Sequence, residues 1–223
     1  MKFYLFNSIL YLHKNTARKS VQKVNYIIFD LGGVLVDWDP EYLYKKLFTD
    51  QKEMRHFLSH ICTPDWNEQQ DAGRRLLEAT DILVEEHPHY ETEIRAFYGR
   101  WAEMLGGPIQ GTVEILQTLI NKKIPVFALT NWSAETYPIA HSQYDFLQWF
   151  EDIIVSGHEG IRKPFAEIYQ LAGKRFGVKP KETLFIDDNL RNIKGAQAVG
   201  FQTIHFKNPT ALKKELIHLG ILP

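Results

Sequence analysis

The chain is poor in cysteine: a single residue, Cys62, stands among 223. A disulfide framework needs pairs and a thiolate-rich metal centre needs several, so both are excluded within this chain. Nothing demands an oxidising compartment. A strong charge of either sign is missing as well, because 26 Lys and Arg face 27 Asp and Glu for a net charge of −1. That balance does not favour a nucleic-acid partner. A bilayer span requires ~20 consecutive apolar residues, and the N-terminal candidate, Phe3 to Leu12, is shorter and interrupted by Asn7 and Ser8. There is no internal repeat and no low-complexity tract. What remains is 44% hydrophobic and 24% charged, an ordinary globular balance that excludes a wholly disordered chain. The length allows one or two domains.

Residues 1–22 differ from the rest. The apolar stretch gives way to a polar, basic one, His13 to Lys23. A signal peptide is opposed by the residues after the apolar run, His13, Lys14, Asn15 and Thr16, which form no small-x-small cleavage pattern. An N-terminal extension and a cytoplasmic chain with no membrane partner are expected.

Five short runs read as strands: Tyr26–Phe29, Val126–Leu129, Ile153–Val155, Leu184–Ile186 and Thr203–Phe206. The first, second and fourth are almost continuously apolar, as strands buried on both faces should be. Helical patterns lie between the later ones: Ile109–Asn121, Phe165–Phe176 before Gly177, and Leu190–Val199 before Gly200. This alternation predicts an α/β fold, a Rossmann-like three-layer domain with a mainly parallel five-stranded sheet. Asp39 to Gly107 interrupts it with no convincing strand and several helical patterns, Tyr42–Phe48, Lys52–Ser59, Arg74–Glu86 and Glu91–Leu105. A structureless loop of that length is improbable in a compact domain. The expected organisation is a core of 23–38 and 107–223 with a helical cap, 39–106, inserted after the first strand. Gly106-Gly107-Pro108 would mark the return to the core.

Open α/β sheets bind ligands at the carboxyl ends of their strands. There the polar residues gather: Asp30 after the first run, then Leu31-Gly32-Gly33; Thr130-Asn131 after the second; Arg162-Lys163-Pro164 beyond the third; Asp187-Asp188-Asn189 at the fourth. Three carboxylates side by side cannot all ionise uncompensated. A lysine can approach one of them, or a hard divalent cation can be held by all; Mg²⁺ suits oxygen ligands and a phosphate substrate. A carboxylate kept ionised in this way is a nucleophile. Gly32 and Gly33 let the backbone turn sharply and present a carbonyl or amide to the site.

The set Phe29–Asp37 (FDLGGVLVD), Leu129–Asn131 (LTN), Arg162–Pro164 (RKP) and Ile186–Asn189 (IDDN), in this order and at strand ends, resembles the four motifs of the haloacid dehalogenase superfamily. The resemblance runs from Val24 to the C-terminus. Residues 131–136 and the helical insert resemble the members with a small helical cap. Asp30–Val34 looks like the branch containing sugar-phosphate phosphatases of the glucose-1-phosphate type, and 2-haloacid dehalogenases are also similar. The resemblance implies that Asp30 is nucleophile and Mg²⁺ ligand, forming an aspartyl-phosphate. It implies that the Gly32 carbonyl and Asp188 ligate Mg²⁺, with Asp187 ligating directly or through water. Thr130 and the Asn131 amide would contact the phosphoryl group, and Lys163 would pair with Asp30 and the phosphate. A small phosphorylated metabolite is the implied partner; oligomeric state stays open.

One departure matters. Many phosphatases of the superfamily carry a second Asp two residues after the nucleophile, and here that position is Gly32. A missing general acid/base costs ~10²–10⁴-fold in rate. Another group, from the cap for instance, then substitutes, or the substrate has a good leaving group, or the protein is a slow, regulatory relative. A metal-free dehalogenase using Asp30 is the other enzymatic alternative. That family tends to have an aromatic residue at the Gly32 position and a Ser-Ser-Asn-type fourth motif, which this chain lacks.

Other polar residues have plainer readings beside the functional one. Asp37 and Asp39 read as turn or capping residues before Tyr42. His87, His89 and His158 read as loop histidines, Arg191 as a helix-surface residue, and Trp101, Met104 and Leu105 as a packed helix face. Trp66-Asn67 and Asp71-Ala72-Gly73-Arg74-Arg75 form the most unusual polar cluster of the insert, and Arg74 or Arg75 would reach a second anion or hydroxyl of the substrate if the cap places them there.

Overall fold

A computed structural model of the chain describes residues 23–223; the extension expected over 1–22 lies outside the described residues. Seven strands occur in it: β1 Tyr26–Phe29, β2 Val36–Trp38, β3 Leu105–Pro108, β4 Val126–Thr130, β5 Ile153–Val155, β6 Thr183–Asp187 and β7 Gln202–His205. Five of them form one sheet in the order β5-β4-β1-β6-β7, all parallel. Each expected strand is present to within a residue or two.

The sheet is covered on both faces, and its strands read as apolar for that reason. Along β1, Ile27 and Phe29 belong to one buried cluster and Ile28 to the other, following the two-residue alternation of a strand. One face is covered by the helices Gln110–Asn121 and Pro209–His218, through Leu116, Leu119, Leu212 and Leu216. The other is covered by Ala166–Arg175 and Leu190–Val199, through Ile168, Tyr169, Ile193 and Ala196. These last two helices stop just ahead of Gly177 and Gly200, where the sequence places their ends.

Between β2 and β3 lie five α-helices, Glu41–Tyr44, Gln51–His60, Pro64–Asp71, Leu76–Glu86 and Glu91–Gly99. They bury Tyr44, Phe57, Trp66 and Phe97 among one another. The sequence reading leaves Pro64–Asp71 out. Its start signal is nevertheless local: Thr63 accepts from the Trp66 amide at 3.1 Å and Pro64 occupies the first turn.

The insert is joined to the core by a two-stranded antiparallel ribbon of β2 and β3, with Val36 opposite Pro108 and Asp37 opposite Gly107. This corrects the expectation that Asp39 to Gly107 holds no strand. Leu105-Gly106-Gly107-Pro108 has poor strand propensity, and only the closeness of its partner makes it one. At Gly106 the ribbon is so close that a Cβ would collide with the Asp37 carboxylate and the Tyr42 ring. Trp101 and Met104 are buried as expected, but on a single 3-10 turn, Trp101–Met104, with Leu105 already in β3.

Candidate active site

The strand register sets the site. Phe29 pairs with Ala128 on one side and Ile186 on the other, so Asp30, Thr130 and Asp187 all emerge at one edge of the sheet. Lys163 arrives from the loop beyond β5. The Asn131 side chain fixes it there: Asn131 Oδ1 accepts from the Lys163 amide at 2.8 Å, and Nδ2 donates to the Lys163 carbonyl at 2.9 Å. The Lys163 side chain is wholly buried. Its Nζ lies 2.8 Å from Asp30 Oδ2, 2.7 Å from Asp187 Oδ2 and 5.5 Å from the centre of the Phe185 ring. The remaining acceptors are committed to backbone and amide donors. Leu31 N donates to Asp30 Oδ1 at 2.7 Å, Asn189 N donates to Asp187 Oδ1 at 2.8 Å, and Asn192 Nδ2 reaches both Asp187 oxygens at 3.1 Å.

The charges do not balance. Burial pushes the Asp30 carboxyl well above the usual carboxylate range; Lys163 pulls it back, while Asp187 and Asp188 add to the rise. Burial also raises Asp188, again helped by Asp187. Burial would lower Lys163, but the two carboxylates outweigh it and hold the ammonium charged. One ammonium thus faces three carboxyl groups, and Asp30, Asp187 and Asp188 each bring an oxygen within 4.8 Å of the others. An all-oxygen donor set with surplus negative charge fits a hard divalent cation such as Mg²⁺.

Gly33 makes room for this cluster. It has φ +72°, and a Cβ there would overlap the Asp188 carboxylate. Gly33→Ala is therefore expected to displace Asp188 and to weaken Mg²⁺ binding by roughly 10–100-fold, the usual effect of disturbing a ligand's support. A Mg²⁺ titration followed by thermal shift reads this; an unchanged midpoint would show that Asp188 is not a ligand.

Two further features lie at the strand ends that carry the cluster. Thr130 Oγ1 is buried with no hydrogen-bond partner, an uncommitted donor that normally carries a cost. A cavity of about 90 Å³ is lined by Gly32, Asn131 and three indoles, those of Trp38, Trp101 and Trp132. The Nε1 atoms of Trp38 and Trp132 are also buried and unpartnered. Asn67 and Asp71 of the insert complete this wall. They also border a larger cavity of about 540 Å³ that reaches Asp30, Gly33 and Asp188.

The structure thus gathers Asp30, Gly32, Gly33, Asn131, Lys163, Asp187 and Asp188, with Thr130 at the adjoining strand end. Arg74 stands apart. It lies beyond the end of the helix Pro64–Asp71 and lines neither cavity; Gln70 Oε1 accepts from its Nε at 2.8 Å and draws the guanidinium back along that helix. Arg191 is drawn to Glu68 of the insert, whose other oxygen meets Arg162 at 3.0 Å. Asp39 accepts from the Glu41 amide at 2.8 Å and Asp37 from the Tyr42 hydroxyl at 2.7 Å, both structural roles. His158 is exposed and outside the cavities. The sequence reading passes over Asp71 and the three tryptophans as wall residues. A lone Trp in an apolar pattern is indistinguishable from core, and Asp71 falls on the helix that was not foreseen.

A family model of haloacid dehalogenase-like hydrolases matches residues 24–200. The sesquiterpene phosphatase astK of Aspergillus oryzae is 29% identical over 195 residues, which span 86% of this chain and 94% of that protein. The N-acetylmuramic acid 6-phosphate phosphatase of Pseudomonas aeruginosa is 23% identical over 81% of this chain and 80% of its own length. Other curated relatives match over smaller shares of their length. Among solved structures, a HAD family enzyme of Bacteroides thetaiotaomicron, in complex with magnesium and inorganic phosphate, shares the fold. Its TM-score is 0.64 at 23% identity, over 83% of this chain and 95% of that one.

Proposed function

This chain belongs to the haloacid dehalogenase-like hydrolase family, and from that premise we propose that it is a Mg²⁺-dependent phosphatase acting on a small phosphorylated metabolite through an aspartyl-phosphate on Asp30. The observation that carries the reading is the buried Lys163 ammonium held between Asp30 and Asp187, with Asp188 alongside. Two relatives named as phosphatases, matched along most of their length, support the same reaction type.

In this reading Asp30 Oδ attacks phosphorus and the ester oxygen leaves. Lys163 opposes the effect of burial on Asp30, favours its ionised form and orients it. The Thr130 hydroxyl, otherwise unpartnered, donates to a phosphoryl oxygen, and the Asn131 side chain keeps Lys163 in place. Water then releases phosphate and restores the carboxylate. Mg²⁺, when bound by Asp30, Asp188, the Gly32 carbonyl and Asp187 directly or through water, supplies charge neutralisation for the transferring group. The insert, 39–106, acts as a cap over the core, and the cavity lined by its Trp101 together with Trp38 and Trp132 of the core receives the leaving group. Ring faces suit both an apolar skeleton and the apolar face of a sugar.

A panel of phosphorylated metabolites assayed with Mg²⁺ and with EDTA tests the proposal. Phosphate release from some member, abolished by EDTA and restored by Mg²⁺, is expected. Release that persists undiminished in EDTA, or metal-free halide release from 2-chloropropionate, would overturn it.

A further inference from the structure

We infer that Asp71, from the helical insert, is the proton donor to the departing ester oxygen and the proton acceptor for the attacking water. The inference rests on the phosphatase reading above.

An alcohol leaves poorly as its alkoxide, so the reaction needs a proton at the ester oxygen, and residue 32 has no side chain to give one. The groups around the cavities narrow the choice. Asp30 is the nucleophile, and Lys163 and Asp187 are bonded to each other. Asp188 belongs to the carboxylate cluster. Asp39 is bound to the Glu41 amide, Glu41 lies 2.8 Å from Lys45, and Glu68 is held by Arg162 and Arg191. The Cys62 thiol is pushed up by burial, beyond useful range. No histidine lines either cavity.

Asp71 is set apart by its place: it is the one titratable residue that lines both cavities. It has no ion pair among the described residues, and its side-chain contacts are the Asn67 amide at 3.3 Å and the Ser133 backbone N–H. It is 9% exposed and shares both cavity walls with Gly32. Nothing lies within 4 Å of where a Gly32 Cβ would stand, so the space the proton must cross is open. The residue is also fixed to the core: Ser156 Oγ donates to its carbonyl at 2.5 Å. Burial pushes its carboxyl up to about 7; Glu68 adds to the rise, and Arg162 and Lys163 oppose it. Both protonation states are therefore populated near neutrality, as a group that must give and then take a proton requires.

The steps balance. As the bond from Asp30 Oδ to phosphorus forms and the ester P–O bond breaks, the Asp71 carboxyl proton passes to the ester oxygen and the alcohol departs. The Asp71 carboxylate then takes a proton from water as the water oxygen bonds to phosphorus. Phosphate leaves, and Asp30 and protonated Asp71 are regenerated.

The isosteric variant Asp71→Asn tests this. Activity is followed on p-nitrophenyl phosphate and on an alkyl phosphate hydrolysed by the unaltered protein. Turnover of the alkyl ester is expected to fall ~10²–10³-fold. p-Nitrophenolate, which leaves without a proton, should appear as a burst of about one equivalent, and quenched protein should carry a phosphoryl group on Asp30. In the unaltered protein, P–O cleavage of the alkyl ester should decline as pH rises through about 7, and the variant should lose that inflection. Alkyl turnover within ~3-fold of the unaltered protein would overturn the assignment, as would equal loss on both esters without a burst. Should the variant not fold, rates of the unaltered protein across aryl and alkyl phosphates decide: a shallow dependence on leaving-group pKa is expected, and a steep one overturns it. If the unaltered protein releases no phosphate from any ester with Mg²⁺, it is the phosphatase reading that fails.

Discussion

Lys163→Met is expected to lower the free energy of unfolding by about 3–5 kcal/mol in the absence of divalent metal, the usual cost of removing one partner from a buried ionic group. The side chain is wholly buried and its Nζ lies within 2.8 Å of two carboxylates. Without it, Asp30, Asp187 and Asp188 stay close together and the ammonium that bridges two of them is gone. Methionine fills a similar volume over the Phe185 ring, so the loss is electrostatic rather than a cavity. Mg²⁺ should restore part of the stability, because a cation that binds only the folded state adds RT ln(1 + [Mg²⁺]/Kd). Urea unfolding with and without Mg²⁺ measures both effects, with an unchanged m-value showing that the denatured state is not the cause. A loss below ~1 kcal/mol would mean that the carboxyls do without the ammonium and that the charge accounting above is wrong.

The parts of this arrangement differ in how legible they are along the chain. The sheet is readable because its strands are buried on both faces: runs such as Tyr26–Phe29 and Leu184–Ile186 carry no polar residue to blur them. Asp30, Thr130, Asp187 and Asp188 are readable because parallel strands place their carboxyl ends together, and polar residues that close apolar runs are conspicuous; Lys163 sits in a loop beyond β5 and is readable only through its motif. The β2–β3 ribbon is not readable, since Leu105–Pro108 is a strand only through its pairing with Val36–Trp38. Asn131 shows a different limit. Its position is evident, but its side chain clamps the Lys163 backbone from both ends, a role that only the fold exposes. Arg74 and Asp71 show the limit most sharply. They are three residues apart in one polar cluster: Asp71 ends the helix Pro64–Asp71 and lines the cavity, whereas Arg74 lies beyond that helix and is held back toward Gln70.

Asp30→Asn is expected to reduce turnover by at least ~10³-fold while leaving the fold intact, because an amide cannot form the acyl-phosphate bond. Hydrogen bonding alone does not predict a collapse. The Asn side chain keeps either the bond from Leu31 N or the contact with Lys163, depending on which way its amide faces. The lost contact is offset by removal of one of three crowded carboxyls, so the melting temperature in EDTA should stay near that of the unaltered protein. The difference should appear with metal. Fewer anionic ligands mean a weaker site, and the thermal shift produced by Mg²⁺ should shrink. Unequal effects are thus expected for the two ends of one ion pair: in EDTA, Lys163→Met unfolds more easily and Asp30→Asn does not. Similar destabilisation of both would mean that the pair holds the fold together as a neutral unit. Wild-type-like phosphate release by Asp30→Asn would remove Asp30 from the reaction altogether.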